Sequence, residues 1–216
     1  MQSRRFLKFL VVVFMGLTRL AHADGERAGE FDYYVLSLSW SPNWCVLEGD
    51  ARNSPQCEDG SGHGWILHGL WPQYERGWPG HCPTSHRNPT RTDTAEMADI
   101  MGTPGLAWHQ WNKHGRCSGL SSDDYYALSR DAYGQVTRPS VFRRLDDAVR
   151  LPARVVEEAF LKENPALEPD MLTVTCRDNM IQEVRICLTP EMEPRTCGQD
   201  LIRDCQADRA LFEVLR

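Results

Sequence analysis

Two short segments of this chain carry groups able to move protons near neutral pH. The first, Trp65-Ile66-Leu67-His68-Gly69-Leu70-Trp71-Pro72-Gln73, sets a histidine inside an apolar run, followed by a glycine that permits close approach. Taken alone, such a histidine reads as a core side chain bonded to backbone. The second, Trp108-His109-Gln110-Trp111-Asn112-Lys113-His114-Gly115-Arg116-Cys117, is denser in chemistry. On a helix each residue turns about 100°, so with His109 at zero Lys113 lies at about 40°, Gln110 at about 100° and His114 at about 140°. One face then presents two imidazoles, an ammonium and an amide. Trp108, Trp111 and Asn112 turn the other way, offering two indoles for packing, and Gly115 ends the helix.

A metal site fits that face poorly. Histidines five apart diverge on a helix, whereas chelating pairs prefer a spacing of four. No carboxylate stands nearby, and Lys113 would repel a cation. The face suits an anion instead, and RNA is the anion whose cleavage needs these groups. Its 2′-hydroxyl is an internal nucleophile beside the phosphate. Transfer to a 2′,3′-cyclic phosphate needs a base for that proton and an acid for the leaving 5′-oxygen, and imidazole can serve as either. A lysine and further donors aimed at the non-bridging oxygens lower the barrier. The scheme calls for no metal and no cofactor.

The elements that must position these groups are partly readable. Phe31 to Trp40 is aromatic and β-branched with partial alternation, which predicts a strand. A loop through Pro42, Cys45, Gly49, Asn53 and Pro55 follows, then a second strand from Gly64 to Trp71, ended by Pro72. Tyr74 to Thr92 reads as a long surface loop. Helices are expected over 93–101, 106–114, from a Ser121 or Ser122 cap to about Tyr133, 140–149 and 153–163. Strands are expected over 171–176 and 181–188. With helices in the middle and strands at the ends, the fold class is α+β, a central, mostly antiparallel sheet with helices packed on it.

Arg4, Arg5 and Lys8, an apolar stretch from Phe6 to Leu17, and Ala21-His22-Ala23 form a secretory signal peptide over residues 1–23. Ser3-Arg4-Arg5-Phe6-Leu7-Lys8 also resembles a twin-arginine signal with one spacer residue missing. Residues 24–216 are then a single exported domain, secreted or periplasmic. Loss of Arg4, Arg5, Lys8 and Arg19 takes the formal charge from −6 to −10. A chain so acidic is no general nucleic-acid binder, so attraction for RNA must come from a local cluster. All eight cysteines lie beyond the signal, at 45, 57, 82, 117, 176, 187, 197 and 205. In an exported chain they read as four disulfides, with about 105 possible pairings. No C-x-x-C pair supports zinc.

HGLWPQ at 68–73 and WHQWNKHGRC at 108–117 resemble the two active-site segments of the T2 ribonuclease family, and FDYYVLSLSWSPNWC at 31–45 resembles its first strand and following cysteine. The resemblance implies an endoribonuclease with His114 as general base and His68 as general acid. His109 would bind phosphate and Lys113 stabilise the pentacoordinate phosphorus. Trp71 would stack on a base in the first base pocket. Apart from the resemblance, Gln73 and Tyr74 are further candidates for substrate binding, and the loop aromatics Tyr74 and Trp78 either line a base pocket or only pack. The resemblance also implies disulfides 45–57, 82–117, 176–205 and 187–197, a single-stranded RNA substrate with little base choice, and a monomer needing no membrane or protein partner. Two positions depart from the pattern: Gln110 replaces a common glutamate and Arg116 a common threonine. Gln110 can donate a hydrogen bond to phosphate but cannot act as acid or base. A non-catalytic descendant that binds RNA or another partner is therefore the alternative reading. His63, His81 and His86, in Gly- and Pro-rich loops, are expected to be solvated.

Overall fold

The computed structural model describes residues 26–216, so the expected signal over 1–23 lies outside the described residues. In chain order the strands are β1 (Tyr33–Trp40), β2 (Trp65–Gln73), β3 (Val149–Leu151), β4 (Leu172–Arg177), β5 (Met180–Leu188) and β6 (Ala210–Phe212). The helices are α1 (Ser41–Trp44), α2 (Arg91–Glu96), α3 (Ala98–Met101), α4 (Pro104–Lys113), α5 (Ser122–Gln135) and α6 (Ala153–Glu163). Strands β2, β1, β5 and β4 lie side by side and antiparallel. The β6–β3 ribbon joins at the start of β5, where Met180 and Leu211 pair in parallel. The α+β class with a mostly antiparallel sheet is therefore correct. No helix among the described residues is long and apolar enough to cross a membrane.

Alternation in β1 sorts its residues between two layers. Tyr34, Leu36, Leu38 and Trp40 face the main core, where Trp65, Leu67 and Leu70 of β2 and Val184 and Ile186 of β5 meet Trp111 of α4, Tyr125 of α5 and Phe160 of α6. Tyr33 and Val35 face a smaller cluster with Trp71, Cys187 and Cys197. Ser37 and Ser39 continue that second face and are buried too.

Two bulges interrupt this alternation. Ser37 pairs with Gly69 but Leu38 with Leu67, so His68 is an extra residue with no partner on β1. Thr175 pairs with Glu183 but Cys176 with Ile181, so Gln182 is an extra residue opposite β4. Each bulge puts two successive residues on the second face, His68 with Gly69 and Gln182 with Glu183, while the core pattern resumes on either side.

Several local expectations need correction. Strand β2 runs through Pro72 because it is the sheet edge, where a missing N–H costs no ladder bond. The segment after β1 is a run of short helical turns closed by Cys45–Cys57, not a loop. Asn43, fully buried, organises it: its Nδ2 donates to Ile181 O (2.6 Å) and Leu211 O (2.9 Å), and its Oδ1 accepts from Glu213 N (2.8 Å). The helix expected over 140–149 is one 3₁₀ turn, Ser140–Arg144, followed by β3. That turn buries only Phe142, too little to fix a longer helix. Strand β6, three residues long, was not foreseen. The expected 93–101 helix is split into α2 and α3, and α5 starts from Ser121, whose Oγ accepts from Asp124 N at 3.2 Å.

The disulfides are Cys45–Cys57, Cys82–Cys117, Cys176–Cys205 and Cys187–Cys197, the same pairs that the resemblance implies. The second joins the long loop after β2 to the chain just past α4, with His81 N–H donating to Lys113 O (2.8 Å) alongside. The last two tie the C-terminal segment to β4 and β5.

Candidate active site

Three elements build the site: the bulged stretch of β2, the C-terminal half of α4, and the bulged stretch of β5. Helix α4 starts cleanly, with Pro104 in its first turn and Thr103 Oγ1 accepting from Leu106 N (3.2 Å). Trp111 anchors it in the core. The expected two-indole packing face is really one indole, because Trp108 is 44% exposed. The helix ends at Lys113, with His114 as its cap, and Gly115 opens a 3₁₀ turn. Gly115 is required for packing, not for a left-handed turn: a Cβ there would lie 2.8 Å from both Trp111 and Tyr125.

His68, His109, Lys113 and His114 line one cleft of about 460 Å³, together with Trp71, Gln73 and Gln110. A second hollow of about 610 Å³ opens on the other side of His68 and His109, toward Leu106, Thr103 and Arg52. Trp71 is the hub. The His114 ring stacks on it, centroids 5.2 Å apart and planes at 27°. The His68 ring meets it edge-on, also at 5.2 Å. The Arg185 guanidinium lies over it at 5.3 Å, and its Nε1 donates to Gln110 Oε1 at 2.7 Å. Gly69 makes the last contact possible, since a Cβ there would lie 2.3 Å from both bonded atoms.

These neighbours revise two sequence expectations. Trp71 lines the cleft but is only 9% exposed, with the His114 ring stacked on it and Arg185 over it, so little of its ring is left open to a base. Trp78, 57% exposed on the rim of the same cleft, has an open face. Tyr74 lies outside the cleft, near Glu26, Glu30 and Asp32, with its hydroxyl pKa raised by burial and then by those carboxylates. Gln110 is buried with its oxygen committed to Trp71, which narrows the anion-facing side of α4 to His109 and Lys113 with His114 at its end. Gln73 is buried at the cleft wall, its Nε2 donating to Pro72 O (3.0 Å).

The electrostatics separate the histidines. Burial pushes His114 down to about 3, and the Lys113, His68, His109 and His81 charges push the same way. Its Nδ1 is buried without a hydrogen-bond partner, which also opposes protonation. His109 is lowered as well, by burial first and then by Lys113, His68 and His81. His68 is different: its Nδ1 is hydrogen-bonded to Glu183 Oε1. Burial alone would push the Glu183 carboxyl up, but the hydrogen bonds and charges of His68 and Arg185 outweigh it and hold it at about 2. A neutral imidazole and a carboxylate-paired imidazole thus both border one indole.

Glu183 and Arg185 were missed by the sequence reading. The visible signal was a break in the alternation of β5: Ile181, then two polar residues, then Val184. Two adjacent polar residues inside a buried strand mark a bulge that turns both toward one face. Among the described residues, no group of three or more His, Cys, Asp or Glu side chains is arranged to hold a metal ion.

A model of the Ribonuclease T2 family matches residues 31–197. Among curated proteins, the chain is 41% identical over 127 residues to a ribonuclease of Aeromonas hydrophila, covering 56% of each chain. It is 28% identical over 136 residues to a probable ribonuclease of Haemophilus influenzae, covering 57% of this chain and 50% of that one. The chain thus spans about half the length of these curated relatives. Among solved structures, an RNase-related protein from Calystegia sepium matches with a TM-score of 0.66 at 16% identity, over 85% of this chain and 98% of that one. At that identity the likeness speaks for the fold. The family match spans both histidine segments and both bulged strands, and on that footing the chain belongs to the Ribonuclease T2 family.

Proposed function

We propose that this protein is an endoribonuclease that cuts single-stranded RNA with little base choice. His114 takes the proton of the 2′-hydroxyl as its oxygen attacks phosphorus. The P–O5′ bond breaks, and the leaving oxygen takes a proton from His68, giving a 2′,3′-cyclic phosphate. In the second step the roles reverse: His68 takes a proton from water, the water oxygen attacks phosphorus, and the ring opens to a 3′-phosphate as His114 protonates the 2′-oxygen. Lys113 and His109 offset charge on the non-bridging oxygens.

The observation that carries this reading is the placing of His68 and His114, each 5.2 Å from the same indole and both lining a cleft shared with His109 and Lys113. The low proton affinity of His114 suits a base that must be neutral before substrate arrives. A bound phosphate reverses the repulsion from Lys113 and the other histidines, raising the basicity of His114 when it is needed. The hollows on either side of His68 and His109 give room for nucleotides flanking one phosphate. Four disulfides fit an exported protein, secreted or periplasmic. We expect it to act as a monomer.

The test is incubation with RNA and with DNA, both in EDTA, with product end groups analysed over time. Cleavage of RNA alone through a transient cyclic phosphate, lost by roughly a hundred- to ten-thousand-fold in His68→Ala and His114→Ala, supports the reading. Binding of RNA without turnover, or cleavage of DNA, overturns it.

A further inference from the structure

The contact between His68 and Glu183 crosses the width of three strands. His68 projects from β2 and Glu183 from β5, with β1 between them. Two features make the reach possible. Both residues belong to bulges that turn them onto the same face. The β1 residues on that face are Ser37 and Ser39, the partners of Gly69, Arg185 and Glu183, and their small side chains leave room above the strand. The His68 side chain is 32% exposed, and its ring otherwise meets Trp71 edge-on.

We propose that Glu183 is the positioning residue of His68: its carboxylate accepts the Nδ1 proton, which fixes the ring orientation and leaves Nε2 to serve the leaving oxygen. This rests on the reading of His68 as general acid. The two carboxylate oxygens divide the work. Oε1 faces His68, while Oε2 accepts from Arg185 Nε at 2.8 Å and Nη2 at 2.6 Å. Glu183 is 2% exposed, so neither partner competes with bulk water. Arg185 in turn lies over Trp71, on which His114 stacks. One chain of contacts therefore sets both imidazoles relative to each other. Arg185 alone could satisfy the carboxylate, as its neighbour two residues along the same strand. Spending one oxygen on a half-exposed histidine serves the histidine, not the sheet. A carboxylate kept in place by a guanidinium also gives the Nδ1–H an acceptor fixed in space.

The experiment compares Glu183→Gln, Glu183→Asp and His68→Ala on two substrates. One is a dinucleotide whose leaving 5′-alkoxide needs a proton. The other is a nucleoside 3′-(4-nitrophenyl) phosphate, whose leaving phenolate does not. For Glu183→Gln we expect kcat on the dinucleotide to fall by about 10- to 100-fold with KM within about twofold, and the nitrophenyl ester to lose less than about threefold. Glu183→Asp should recover part of the loss. In the unmodified protein, ¹⁵N spectra of the His68 ring should show the proton on Nδ1 in the neutral form. This last measurement holds even if the variants fold poorly. Equal losses on both substrates, no loss at all, or a neutral ring protonated on Nε2 overturns the proposal. If His68→Ala itself loses equally on both substrates, the assignment of His68 as the acid fails instead.

Discussion

Gly69→Ala tests the geometry of the site through a single methyl group. The added carbon would lie 2.3 Å from Gln110 Oε1, 2.3 Å from Trp71 Nε1 and 2.9 Å from Gln110 Cδ. Neither side chain can swing into solvent, for Gln110 is 1% and Trp71 9% exposed. The 2.7 Å hydrogen bond between them must break. Overpacking of this kind costs about 1–3 kcal/mol, and a buried polar group left unpaired about 1–3 kcal/mol more. The sum, about 2–6 kcal/mol, lies at or below the lower end of the roughly 5–15 kcal/mol of a typical domain, so a folded variant is expected. At roughly 2–4 °C per kcal/mol for a domain of this size, Tm should drop by about 4–24 °C. Displacing Trp71 also moves the surface on which His114 stacks and against which His68 rests. Misplacement of about 1 Å costs on the order of a hundredfold in rate. The assay is initial-rate cleavage of a dinucleotide well below the melting temperature, beside a thermal melt with disulfides intact. Gly134→Ala is the control: nothing lies within 4 Å of a Cβ there, and it sits inside α5, so it should gain about 0.5–1 kcal/mol. A Gly69→Ala protein with unchanged Tm and activity would refute the account of how Trp71 is held.

Three further outcomes are expected. His114 becomes neutral on folding, so its contribution to stability is full above its unfolded value of 6.5 and is lost as pH falls toward about 3. Between about pH 6.5 and pH 4 that amounts to about 3 kcal/mol, and urea melts across this range should show a shallower decline for His114→Gln. Gln110→Glu keeps the acceptor for Trp71 but puts a negative charge beside Lys113 and His114. It should leave kcat within about tenfold and move the acid limb of kcat/KM to higher pH; a thousandfold rise in rate would mean that the natural residue cripples the enzyme. Replacing Cys82 and Cys117 together by serine opens a loop with a sequence separation of 35 and should cost about 4 kcal/mol, read as a fall in Tm of roughly 8–16 °C.

What the sequence conveyed depended on how local each signal was. His68, His109, Lys113 and His114 sit in short segments whose spacing is informative without any fold, and all four line one cleft. The strands β1, β4 and β5 and the helices α4, α5 and α6 were legible because each has a regular apolar period or a capping residue next to its start. Two kinds of feature were not. Long-range partners leave no local mark: Glu183 meets His68 across 115 positions of sequence, and Asn43 meets the last strand across 168. Small departures from periodicity are the other kind, since a strand pattern survives them. Gln182 beside Glu183 looked like an imperfect strand, and the exposed Trp108 looked like a packing residue because its neighbour Trp111 is one.

The paired bulges have a consequence for how this domain tolerates change. Excise position 68 and Ile66, Leu67, Gly69, Leu70 and Trp71 still alternate without a fault; excise position 182 and the same holds for Ile181, Glu183 and Val184. The residues added at these two places are supernumerary to the β-sheet's own arithmetic. Of the groups in the cleft, His68 thus rides on the architecture as an insert, so losing or gaining it need not disturb the scaffold on which the others stand.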